Sequence, residues 1–194
     1  LSEKEPTDEF IKLPKEQPEI ATKRLILRRF VSSDAPEVAT LANDYEIAAR
    51  TLKIPHPYEE ANASEWIATH RDGYRNGEFV NFAITLKGDG RFIGAVGLEI
   101  VREHGRARIG YWLGRDYWGK GYATEAAGAI LDFGFNVLML NRIHSEHFTE
   151  NPASGRVLEK IGMKYEGHMR EHDLRFGQYK DIFVYGILKR DFKK

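Results

Sequence analysis

Between Ile109 and Leu138 the hydrophobic pattern changes period once, and the rest of the chain is organised around that change. Ile109 to Leu113 is a short apolar run of strand type. Gly114, Gly119 and Gly121 follow as a glycine-rich turn. From Ala123, small and apolar residues recur at Ala126, Ala127, Ile130, Leu131, Gly134, Phe135 and Leu138. That is the i, i+3, i+4, i+7 spacing of one helix face, so the order predicted is strand, tight loop, helix. The first turn of such a helix carries N–H groups without intrahelical acceptors, at the positive end of the macrodipole. A loop of this shape suits an anion, above all a phosphate, and glycine lets the backbone come close to it.

The flanking patterns predict the remaining elements. Residues 1–20 mix charges with three prolines and few apolar positions, as an extended or partly disordered arm would, with Phe10, Ile11 and Leu13 as its docking candidates. Residues 21–194 read as a single domain. Thr22–Phe30 alternates as a first strand. Ser33 or Asp34 is placed to cap a helix that has Pro36 in its first turn and runs to about Asn43. Thr51–Tyr58 is a proline-interrupted loop, and Glu59–Tyr74 a second helix with Ala63, Trp66, Ile67 and His70 on one face. Val80–Leu86 and Phe92–Val101 are strands joined by the turn KGDGR, the second apolar on both faces as a central strand is. Ala107–Leu113 is the next strand. Ile143–Thr149 is a strand, Pro152–Ile161 a helix, and Lys164–Arg175 with Tyr179–Leu188 a hairpin around FGQ. The order implies an α/β mixed sheet with one parallel crossover around the long helix.

Composition narrows the chemistry. Lys+Arg and Asp+Glu both number 29 in 194 residues, so no global basic field recruits nucleic acid. There is no cysteine, which removes disulfides, thiolate nucleophiles and Cys-type zinc sites. No run approaches the roughly 20 apolar residues of a membrane span, and the N-terminus lacks a secretion pattern, so a cytoplasmic location without membrane partners is expected. The seven histidines show no metal spacing on a helix, and no metal is expected.

Three phosphate loops compete for the glycine turn. G-x-x-x-x-G-K-[ST] is met by Gly114, Gly119 and Lys120, but Gly121 stands where a magnesium-binding hydroxyl belongs. G-x-G-x-x-G is met by Gly119 and Gly121 but then by Thr124, with no ribose-binding acid beyond the helix. The third pattern, [QR]-x-x-G-x-[GA], is the pyrophosphate loop of the GNAT superfamily of N-acetyltransferases. Trp118-Gly119-Lys120-Gly121-Tyr122-Ala123 keeps Gly121 and Ala123 and has Trp at the first place. Together with GYWL, YWGKGYATEA, NRI, ENPASGRVLEKIGM, TKRLILRRF and YKDIFVYGILKRDF, it closely resembles the RimJ/RimL branch, over roughly residues 22 to 193.

The resemblance implies a mostly antiparallel sheet of about seven strands with a central, splayed parallel pair. It implies acetyl-CoA as donor, with the pantetheine of coenzyme A along Tyr111, Trp112 and Leu113. The pyrophosphate would lie on the backbone of Gly119, Lys120, Gly121, Tyr122, Ala123 and Thr124, with Trp118, Asn151 and Ser154 also beside the cofactor. The tyrosine acid of many relatives is replaced by Leu158, and Ser154 is the residue expected near sulfur. Arg108 replaces a frequent glutamate, so Glu99 is the candidate base, its apolar run FIGAVGLEIV expected to raise its pKa. His56 and His147 are weaker candidates. The expected acceptor is a primary amine, first a protein N-terminus and otherwise a polyamine or antibiotic, admitted by a cleft containing Tyr58, Trp66 and Tyr74. A non-catalytic acyl-CoA sensor is the alternative from another class. Monomer and homodimer both fit the sequence.

Overall fold

The computed structural model describes residue 11 and residues 13–192, so Phe10 and most of the arm lie outside the described residues. Among the described residues, eight strands form one sheet in the order β1-β2-β3-β4-β5-β6-β8-β7. They are β1 Ile20–Ala21, β2 Leu25–Arg28, β3 Phe79–Leu86, β4 Phe92–Val101, β5 Arg106–Leu113, β6 Arg142–Phe148, β7 Lys164–Arg175 and β8 Gln178–Leu188. The strand beyond the expected seven is β1, two residues that pair with Leu27 and Ile26. Every neighbouring pair is antiparallel except β5–β6.

Six α-helices among the described residues cover the sheet: α1 Ala35–Ala42, α2 Tyr45–Arg50, α3 Glu60–Ala68, α4 His70–Asn76, α5 Tyr122–Asp132 and α6 Pro152–Lys160. β4 is buried from Phe92 to Leu98, as its unbroken apolar run requires between two covered faces. One core cluster joins Val96, Leu98 and Ile109 to Ala127, Ile130 and Leu131 of α5 and Leu158 of α6. A second cluster joins Ala83 and Phe92 to Val38 of α1 and Ala63 and Ile67 of α3. The sheet therefore separates two layers, and the site described below opens to both.

Three local expectations need correction. The helix expected to reach Leu138 stops at Asp132 and continues as a π-helical turn over Phe133–Val137, closed by Leu138 N–H on Phe133 O at 3.0 Å. The helix expected over Glu59–Tyr74 breaks at Thr69, whose hydroxyl back-bonds to Trp66 O. Neither Ser33 nor Asp34 caps α1 with its side chain. The Asp34 carboxylate instead receives both terminal nitrogens of Arg28 and the N–H of Val31, which satisfies a buried charge more fully than a cap does. Helix α2, six residues capped by Asp44 on Glu46 N, lies in a stretch the sequence leaves unassigned. Ile11 is buried in the first core cluster, Pro14 O accepts from Tyr74 Oη at 2.8 Å, and Gln17 donates to Asn81 O at 2.8 Å.

Candidate active site

β5 and β6 pair at Arg106↔Arg142, Ala107↔Ile143 and Arg108↔His144 and then part. β5 runs on to Leu113 bonded to β4, while β6 runs on to Phe148 bonded to β8. Ser145 Oγ donates to Ile109 O at 2.9 Å and marks the apex of this fork. Gly114 N–H points the other way, to Ile93 O at 2.9 Å. Main-chain groups alternate sides along a strand, so Leu113 N–H faces the fork.

A cleft of about 920 Å³ follows the fork. Glu99, Tyr111, Trp112, Leu113, Trp118, Gly119, Gly121, Tyr122, Ala123, Thr124, Asn151 and Ser154 all line it. Lys120 does not; its ammonium lies 5.8 Å from the Tyr117 ring centroid. Tyr74 is also absent from the wall, being turned into the opposite layer towards Pro14, whereas Tyr58 and Trp66 line it.

The loop after β5 is shaped by Gly119 (φ +72°) and Gly121 (φ +79°), and Gly121 is the N-cap of α5. Among the described residues no side chain caps the first turn of α5, so its N–H groups are presented to the cleft wall. The sequence misses what braces this loop. Arg24 Nη1 donates to Lys120 O at 2.9 Å, and its guanidinium lies 4.5 Å from the Tyr122 ring centroid. Glu125, an acid in the first turn, is drawn aside by Thr22 Oγ1 (2.6 Å), Arg24 N (2.7 Å) and Arg24 Nε (2.6 Å). Burial pushes the Glu125 carboxyl up, but these hydrogen bonds outweigh it and hold the group below the usual carboxylate range. A competing negative charge at the helix mouth is thus neutralised. The only advance signal was the TKRLILRRF segment in the resemblance.

On the far arm of the fork, Asn151 caps α6 with its side chain on Ser154 N–H at 3.3 Å, as its place before Pro152 predicts. Tyr111 Oη lies 2.8 Å from Ser154 Oγ and 3.1 Å from Ser154 O. Burial pushes the Tyr111 phenol up to about 12, the Ser154 hydrogen bond pulling the other way. Leu158 is fully buried in the core and takes no part in the cleft.

On the other face, Arg108 bridges Glu99 and Glu146, and Lys53 pairs with Glu99. This overturns the expected pKa of Glu99. Burial pushes its carboxyl up, but hydrogen bonds from Arg108 and Lys53 and their charges outweigh it and leave the pKa lowered. The apolar run FIGAVGLEIV concealed the two cations because they come from other segments. Arg175, near the β7–β8 turn, donates to Ala48 O at 2.7 Å, Leu52 O at 3.2 Å and Ile54 O, clasping the hairpin to the cleft wall. His147 lines the cleft but is buried, with Nδ1 2.8 Å from Phe148 O and its ring stacked on Tyr185. His56 is exposed beside Tyr45.

A forked parallel pair beside an uncapped helix mouth is the architecture of an acyl-CoA N-acyltransferase. Residues 24–164 match the acetyltransferase (GNAT) domain family, and the chain belongs to that family. It is 33% identical over 172 residues to the uncharacterized N-acetyltransferase p20 of Bacillus licheniformis, covering 88% of this chain and 96% of that one. A shorter match, 35% over 105 residues, is to the spermidine N(1)-acetyltransferase of Escherichia coli, covering 54% of this chain and 56% of that one. The crystal structure of a GNAT-family acetyltransferase from Bacillus anthracis superposes with a TM-score of 0.80 at 27% identity, covering 89% and 99% of the two chains. RimJ of Mycobacterium smegmatis, in complex with a coenzyme A disulfide, shares the fold with a TM-score of 0.80 at 24% identity over 88% and 84%.

The protein is thus an acyltransferase, and acetyl-CoA is the acetyl donor of its family. Its residues fit that donor: a Cβ at Gly119 would meet nothing within 4 Å, so the loop leaves open space beside the helix mouth. Among the described residues, no helix is long and apolar enough to cross a membrane.

Proposed function

We propose that the protein acetylates the α-amino group of a peptide or protein N-terminus. Acetyl-CoA supplies the acetyl group as a thioester open to attack by an amine. The backbone N–H groups from Gly119 to Thr124 hold its pyrophosphate through charge-assisted bonds worth roughly 1.5–3 kcal/mol each. The fork-facing main chain of Tyr111 and Leu113 would orient the pantetheine arm. The fork-facing Leu113 N–H is the candidate donor that would meet the carbonyl oxygen as it gains charge, and Ser154 Oγ would hydrogen-bond sulfur.

The observation that carries this acceptor is the clamping of Glu99 by Arg108 and Lys53. A carboxylate held at lowered pKa is a weak base, so the acceptor must bring much of its own neutral amine. At pH 7 an N-terminal amine of pKa about 8 is neutral in roughly one molecule in ten, whereas a lysine-like amine near 10.4 is neutral in roughly one in 2,500. That ratio favours the N-terminus. The match to the spermidine enzyme favours a polyamine as the second reading. Thiol release from acetyl-CoA over a panel of N-terminal peptides and polyamines separates the two. Faster turnover with peptides at pH 7 supports the proposal, and turnover with spermidine alone overturns it.

A further inference from the structure

Tyr111 and Ser154 come from opposite arms of the fork, β5 and α6, and meet hydroxyl to hydroxyl at 2.8 Å. We propose that Tyr111 is a positioning residue, whose phenol donates to Ser154 Oγ and so turns the serine proton towards the donor's sulfur. The inference rests on the acetyl-transfer reading of the cleft and assigns a task to a side chain whose backbone alone was expected to matter.

The geometry offers the phenol two acceptors, Ser154 Oγ at 2.8 Å and Ser154 O at 3.1 Å. The carbonyl lies inside α6, where helical pairing supplies it with the N–H of Leu158. The hydroxyl is the shorter contact and sits at the usual O–H···O distance. A serine hydroxyl has one proton and two lone pairs. If Tyr111 accepted that proton, none would remain for the sulfur; if Tyr111 donates, the serine proton is free to turn into the fork. Negative charge growing on sulfur selects the second arrangement.

The same contact shows why Tyr111 is not itself the acid. Its burial keeps the phenol protonated across the working pH range, so it remains a donor throughout. No proton passes from Tyr111 or Ser154. The amine lone pair forms the new C–N bond, the C–S bond breaks with its electron pair going to sulfur, and the amine proton leaves to solvent. Ser154 Oγ–H stabilises the thiolate by a charge-assisted hydrogen bond, and Tyr111 fixes the direction of that bond. The pair thereby takes over the task of the tyrosine missing at Leu158.

The test is a comparison of Tyr111→Phe, Ser154→Ala and the double variant with two readouts. The first is the thiol pKa of bound coenzyme A, followed by the ultraviolet absorbance of its thiolate in the binary complex. The second is kcat at saturating substrates. Tyr111→Phe should raise the bound thiol's pKa in the same direction as Ser154→Ala and lower kcat roughly tenfold, the scale of one hydrogen bond. The double variant should be no slower than the worse single one, and Ser154→Thr should restore most of both readouts. A thiol titration moved by Ser154→Ala but not by Tyr111→Phe overturns the role of Tyr111 and leaves the serine contact standing. Multiplying effects overturn it equally. If the wild-type protein binds no coenzyme A, the acetyl-transfer reading fails first.

Discussion

The indole N–H of Trp118 donates to the carbonyl of Leu113 at 2.8 Å, tying the glycine-rich loop to the last residue of β5. The ring thus fixes the glycine turn relative to the strand along which we propose the donor lies. Trp118→Phe removes that bond and keeps most of the ring. Loss of a neutral hydrogen bond of about 0.5–1.5 kcal/mol should weaken acetyl-CoA binding roughly 2- to 10-fold by titration calorimetry. An unchanged Kd would mean the loop holds its shape without the indole.

Gly121 caps α5 in the left-handed region, where a β-branched residue is strained. Gly121→Val should leave the far-ultraviolet circular dichroism as it is and abolish acetyl-CoA binding. Retained affinity would refute the assignment of the helix mouth to the pyrophosphate.

Glu99 tests the absence of a strong base. A general base contributes about 10²–10⁴ in rate. Because its carboxyl is held below the usual range by Arg108 and Lys53, Glu99→Gln should change kcat with a peptide acceptor by less than about tenfold. A hundredfold loss would return Glu99 to the role of proton acceptor.

Arg175 clasps the β7–β8 hairpin to the residues between Ala48 and Ile54, on the side of the fork where we propose the acceptor enters. Arg175→Ala should raise the KM for the acceptor on the order of tenfold, about 1.4 kcal/mol, while the Kd of acetyl-CoA stays within about twofold. Equal damage to both would show that the clasp supports the whole fold instead.

His70 gives a pH signature of stability. Its ring is buried among Phe30, Trp66 and Phe79, and burial lowers its pKa from 6.5 to about 4. Between those values the unfolded chain binds the extra proton, so stability falls as pH drops through that window and levels off below it. The slope is at most about 1.4 kcal/mol per pH unit from this group. Urea midpoints of His70→Leu should therefore fall less than those of the wild type between pH 6.5 and 4; parallel curves would remove His70 as the cause.

What was legible in the sequence is what repeats or what glycine marks. The period change at Ile109–Leu138 located β5, the loop and α5, because apolar spacing and φ-demanding glycines are local signals. The π-helical turn at Phe133 was hidden, since an apolar face reads the same whether a turn holds 3.6 residues or more. Helix α2 is only six residues long, too short to show a period. Contacts made at long separation were silent: Arg24 on Lys120, Tyr111 on Ser154, and Lys53 on Glu99. The last mattered most, since an acid in an apolar run looks desolvated until its partners arrive from elsewhere.

The hydroxyl of Ser145 on the carbonyl of Ile109 has one further consequence. By spending the first carbonyl past the paired residues on a side chain, it stops the two arms from zipping shut. The gap therefore exists before any ligand arrives, cut into the ground state at a fixed depth. A thioester bound there, as proposed, would find a slot of set length and no strands to prise apart.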